Sequence, residues 1–170
     1  DDKAPRDETG AVMMGTIEFN SSVLYRYATV NVDLLADQLA NRADAVTATT
    51  EFVRAFIESM PTGKKNTFAN GTLPDAIVVS VREDRGVSFV GAFETPVRAG
   101  REGGYLRNSA VQLANYATEV ATQYAAPAAH TWVLRIGEST DALEHLGSRL
   151  TLPALVAAVG EAVSDHLEKG

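Results

Sequence analysis

The chain contains no cysteine, which excludes disulfides and thiolate metal sites and fits a reducing, cytoplasmic setting. Histidine is scarce: His130, His145 and His166 stand apart. None has the His-Glu-x-x-His spacing of a metal helix, so neither a metal nor any other cofactor is expected. There is no run of about 18 apolar residues, so no membrane-spanning helix and no membrane partner are expected. Internal repeats and low-complexity blocks are missing too. The opening residues, Asp1-Asp2-Lys3-Ala4-Pro5-Arg6, have neither an initiator Met nor a signal peptide and read as a polar linker or a fragment edge.

What is present fits one ordinary domain. A length of 170 residues with 45% hydrophobic side chains supports a substantial core. The net charge of −7 argues against a general nucleic-acid coat. Its distribution qualifies that conclusion. Residues 62–107 carry seven Lys/Arg against five Asp/Glu, whereas the segments on either side are acidic. A local phosphate-binding path and ordinary surface variation are both compatible with this pattern.

Periodicity outlines the elements. From Thr16, the residues Ile17, Phe19, Val23, Tyr25 and Tyr27 alternate with Thr16, Glu18, Asn20, Ser22 and Arg26. This predicts a long half-buried strand, bent near Asn20-Ser21-Ser22. Asn31 is the expected N-cap of a short helix through Leu39. A second helix from about Asp44 carries a stripe of Val46, Ala48, Phe52, Val53, Phe56, Ile57 and Met60, and Pro61 and Gly63 end it. Residues 76–82 and 87–93 are expected to pair as a hairpin around Glu83-Asp84-Arg85-Gly86. A further amphipathic helix carries Ala110, Leu113, Tyr116, Ala117, Val120 and Tyr124 and stops at Pro127. Residues 131–136 form a short strand, and Thr151 opens a last helix. About four or five strands, not separated regularly by single helices, predict an α+β fold rather than a doubly wound sheet.

Motifs with chemistry are few. Pro61-Thr62-Gly63-Lys64-Lys65 is not a Walker loop: Glu58 stands where the first Gly belongs, and Lys65 where Ser or Thr belongs. What remains is a turn presenting Lys64 and Lys65, either for sequence-independent phosphate contact or as a solvated helix exit. Arg98, Arg101 and Arg107 flank Gly100, Gly103 and Gly104. Glycines admit close backbone approach and guanidinium forks match phosphate oxygens, but a plain surface loop reads the same way. Met13-Met14 could wedge between bases or be buried under the strand that follows. No nucleophile, base and orienter assemble from sequence, so no catalytic residues are assigned and no enzyme is expected.

The run Met14-Gly15-Thr16-Ile17-Glu18-Phe19-Asn20-Ser21-Ser22-Val23-Leu24-Tyr25-Arg26-Tyr27-Ala28 resembles the Gly-Thr-x-Glu-Phe…Tyr-Arg-Tyr-Ala signature of the CasC backbone subunit of the type I-E CRISPR Cascade complex. Two further segments follow in the family's order: Pro61-x-Gly63-Lys64-x-x-Thr67-Phe68-Ala69 with Pro74-Asp75, and Gly91-Ala92-Phe93-Glu94-x-x-Val97. The resemblance implies a ferredoxin-like, RNA-recognition-type core that is incomplete because the N-terminal half is absent. Residues 1–14 would be the returning arm of a thumb-like loop, and 15–170 the C-terminal part of the domain.

The implied function is a non-catalytic scaffold in antiviral defence. It binds the CRISPR guide RNA, stacks on copies of itself and other Cascade subunits, and presents guide bases for pairing with target DNA. The implied RNA contacts are Met14 beside a displaced base and Arg98 near the guide backbone, with Arg101 as a substitute for a neighbouring family lysine. Lys64 matches the family's Gly-x-Lys loop, and an RNA role for it and Lys65 is our inference. The alternative is a ferredoxin-like endoribonuclease that processes CRISPR transcripts, with His130 as its base.

Overall fold

Two asparagines start the helical layer. Asn31 Oδ1 accepts from the Leu34 N–H at 2.9 Å and opens α1, Val32–Leu39. Asn41 Oδ1 accepts from the Ala43 and Asp44 N–H groups at 2.9 and 3.4 Å and opens α2, Arg42–Glu58. Each cap satisfies first-turn donors that have no acceptor inside the helix. These elements belong to a computed structural model that describes residues 22–61, 71–124 and 127–169. The α2 helix begins two residues before the expected Asp44. Its buried Thr49 hydroxyl donates to the Ala45 carbonyl at 2.8 Å, which lets a polar side chain enter the core.

The sheet has three strands among the described residues. The strand β1, Ala76–Val81, pairs antiparallel with β2, His130–Arg135, from Ala76↔Arg135 to Val81↔His130. A two-residue strand β3, Ser148–Arg149, runs parallel to β2. The crossover between them is a 3₁₀ stretch, Glu138–Leu146. Two long helices complete the fold: α3, Leu106–Gln123, and α4, Leu152–Lys169.

Alternation along β1 assigns its faces. Ile77 and Val79, with Trp132 and Leu134 of β2, pack on Ala45 and Ile57 of α2 and on Leu155, Val159 and Val163 of α4. Ala76, Val78 and the fully buried Val133 face the other way, onto Ala110 and Ala114 of α3 and Leu143 of the 3₁₀ stretch. Helices therefore cover both sheet faces, and the fold is a mixed α+β arrangement.

Three expectations need correction. The hairpin does not form: β1 takes β2 as its partner, and Val90–Phe93 coils into a 3₁₀ helix against α3. The reason is packing. Ala92 is buried, and Gly91, lacking a Cβ, lets the Tyr116 hydroxyl of α3 approach. Fewer strands than expected stand among the described residues. Part of the shortfall is the predicted strand 16–28: its residues 16–21 lie outside the described residues, and 22–28 have no ladder partner among them. The helical stripe of α2 holds at Val46, Val53 and Ile57, which pack into the core, and shifts elsewhere. Ala45, Thr49 and Ile57 are the buried positions, Phe52 is 41% exposed, and Met60 lies beyond the helix.

Candidate nucleic-acid interface

The arginine loop is built by its glycines and by the helix it enters. Gly103 and Gly104 hold φ of 88° and 75°, a left-handed backbone that glycine adopts without steric penalty. The turn is closed by two backbone bonds, Gly103 N–H to the Gly100 carbonyl at 3.0 Å and Gly100 N–H to the Gly104 carbonyl at 2.8 Å. It delivers the chain to Tyr105, the N-terminal boundary of α3, which offers no side-chain cap.

Arg98 and Arg101 project from this loop, and Arg107 from the first turn of α3. All three are exposed and pair with no acidic side chain among the described residues. Arg42 and Arg85 likewise pair with no acidic side chain among the described residues, but each stands alone, whereas several other arginines are engaged. Arg82 forks onto Asp84 at 2.8 and 2.9 Å, holding that carboxyl far below the usual carboxylate range. Arg135 bonds Glu144, whose carboxyl it likewise holds below its ordinary value. Arg26 donates to the Ser59 carbonyl at 3.0 Å and lies 4.4 Å from the centre of the Phe56 ring. Three unpaired guanidinium groups beside a helix N-terminus suit phosphate oxygens.

Of the residues singled out from sequence, Arg98 and Arg101 fall together in this loop, whereas Met14, Lys64 and Lys65 lie outside the described residues. The aromatic pair divides. Tyr25 is half-buried, its ring 5.5 Å from Phe93 and its hydroxyl accepting from the Phe89 N–H at 3.0 Å. Tyr27 is 43% exposed. His130 opens β2 and stacks on Trp132, with centroids 5.5 Å apart and planes 2° apart. Among the described residues no group of acidic, His or Cys side chains could hold a metal ion, and no helix is long and apolar enough to cross a membrane.

A second feature escaped the sequence. Beside the outer edge of β1 runs a groove of about 570 Å³, walled on the far side by residues 25–33. Phe52, Phe56 and Val163 line it from the helical layer of α2 and α4, and Leu113 of α3 lines it from the opposite layer. No backbone bond among the described residues occupies that outer edge of β1. No sequence signal marks a groove whose walls come from five separate segments.

A family model described as CT1975-like protein matches residues 1–158. The chain belongs to this family. Solved structures resemble the chain as well. The CT1975-like chain is 36% identical to a chain of a structure titled "CRISPR RNA-guided surveillance complex", with a TM-score of 0.70, covering 78% of this chain and 50% of that one. It is also 36% identical, again with a TM-score of 0.70, to a chain of "CRISPR RNA-guided surveillance complex, pre-nicking", covering 79% of this chain and 36% of that one. The chain thus spans half or less of the solved chains it matches. No curated protein matches it.

Proposed function

We propose that this chain is the C-terminal half of a guide-RNA-binding backbone subunit of a Cascade-type surveillance complex, of type I-E. Its likeness to chains of such complexes, at 36% identity over more than three quarters of its length, carries the role. The RNA-facing element is the arginine loop. An acidic protein that leaves Arg98, Arg101 and Arg107 without carboxylate partners retains charge for an external anion, and a guide backbone supplies phosphates at regular spacing. The core is an incomplete ferredoxin-like one, and the groove beside β1 supports this: it lies in the sheet plane between two helical layers, where another strand would sit. Stacking of copies along the RNA, base presentation to target DNA, contact with other Cascade subunits and a cytoplasmic setting complete the proposal.

The subunit is non-catalytic in this reading. His130 has its ring face on Trp132 and no hydrogen-bond partner among the described residues, so nothing orients it as a base. RNA cleavage that disappears in His130→Ala would overturn that part.

The RNA role is tested with Arg98→Glu and Met14→Asp in the assembled complex. Arg98→Glu weakens guide binding by about tenfold or more, irrespective of sequence, and flattens its salt dependence. Met14→Asp impairs insertion beside the displaced base while the fold stays intact. Unchanged guide affinity in both variants sinks the proposal.

A further inference from the structure

The arginine loop does not hold its shape by its own bonds alone. Two side-chain amides on α3, one helical turn apart, reach across to the segment that leads into it. The Asn108 Nδ2 donates to the Arg98 carbonyl at 2.8 Å. The Gln112 Nε2 donates to the Thr95 carbonyl at 3.2 Å and also to the Ala92 carbonyl. Residues four apart on a helix stand one above the other on the same face, so the two amides form a short ladder along α3. That ladder grips three carbonyls between Ala92 and Arg98. The acceptors are carbonyls, so only the NH₂ end of each amide can serve, which fixes the orientation of both side chains.

We infer that Asn108 and Gln112 are positioning residues for RNA binding, holding Arg98 and Arg101 in register with Arg107. The inference rests on the reading of the loop as a phosphate contact. Arginine carries about 2 kcal/mol of side-chain rotamer entropy, and a loop free to move adds backbone entropy to what binding must overcome. Tying the Arg98 carbonyl to the third residue of α3 removes the backbone part before RNA arrives. The carbonyl is held while the guanidinium stays exposed.

The test separates positioning from charge and from folding. The probe is a labelled single-stranded RNA of mixed sequence, titrated against the full native protein carrying this chain at several salt concentrations. Replacing Arg98 and Arg101 by Ala lowers affinity and flattens the log–log salt slope by roughly 0.7 per arginine. Asn108→Ala lowers affinity about three- to tenfold, the range of one hydrogen bond, and leaves the salt slope unchanged because no charge is lost. In the background lacking both arginines, Asn108→Ala has no further effect. Asn108→Ser, too short to span the gap, repeats these results and guards against a helix-propensity artefact. An equal loss in both backgrounds overturns the inference in favour of a general structural role. An unchanged affinity for Asn108→Ala, where the arginine variants do weaken binding, overturns it outright. If the arginine variants themselves bind as the native protein does, the loop is not the RNA contact and both readings fall.

Discussion

Among individual side chains, the charges inside the fold behave differently from those of the arginine loop. The side chain of Arg135 is only 10% exposed and meets Asp141 at 2.6 Å, Glu144, and the Gly137 carbonyl at 3.0 Å, fastening the 3₁₀ stretch to β2. Arg82 and Asp84 close the turn after β1. The carboxyls of Glu144 and Asp84 both lie below their ordinary values, in each case first because the arginine bonds the ionised form. A depressed native value means that the folded protein holds fewer protons than the unfolded chain. The stabilisation is therefore complete above about pH 5 and is lost as pH falls through the ordinary carboxylate range towards the native values. Urea midpoints are expected to stay level from pH 7 to about pH 5 and then decline. Glu144→Gln and Asp84→Asn should each lower the neutral-pH midpoint and make the decline shallower. Declines as steep as that of the native protein would show that these pairs do not set its acid sensitivity.

Between elements, backbone contact decides more than propensity does. Gly147 joins the 3₁₀ stretch to β3, and a Cβ there would lie 2.2 Å from the Thr131 carbonyl oxygen and 2.6 Å from its carbon. Thr131 is locked in the ladder opposite Ser80, so it cannot retreat without disturbing β1. Gly147→Ala is expected to destabilise by about 2–3 kcal/mol in chemical denaturation. At Gly137, φ is 68° and ψ 174°, a backbone region open essentially to glycine alone, so Gly137→Ala should cost about 1–3 kcal/mol through strain, with open space around the new methyl. A loss below about 0.5 kcal/mol for Gly147→Ala would refute the steric account. The same distinction explains which elements sequence revealed. The helices were readable because Asn31, Thr151 and the apolar stripes are local signals, and β2 because its branched residues are. The partner of β1 was not, since the hairpin rule favours the nearest apolar run, whereas Ala92 had a buried place against α3. Arg98 and Arg101 were visible as a cluster, but their freedom from carboxylates and the Asn108 tie depend on tertiary placement.

At the scale of the molecule, no strand among the described residues pairs with the outer edge of β1. Strand β1 is six residues of Ala, Ile, Val and Ser, without the lysine, proline or bulge that usually protects an exposed edge. The groove beside it has apolar walls from both helical layers and a second chain segment, residues 25–33, across the gap. A single apolar strand placed there would pair with β1 and bury side chains on both faces, as central strands do. Successive amides in β1 point alternately towards β2 and into the groove, so half of them should report on occupancy. Hydrogen exchange measured on the 170-residue chain alone is expected to show slow exchange for amides facing β2 and fast exchange for those facing the groove. In a family protein of the full length of the solved relatives, the groove-facing amides of the same strand should become slow, and the ring of Tyr27 should lose its exposure. Groove-facing amides that exchange equally fast in both proteins would mean that no strand enters. The open edge would then belong to an outside partner rather than to the remainder of the fold.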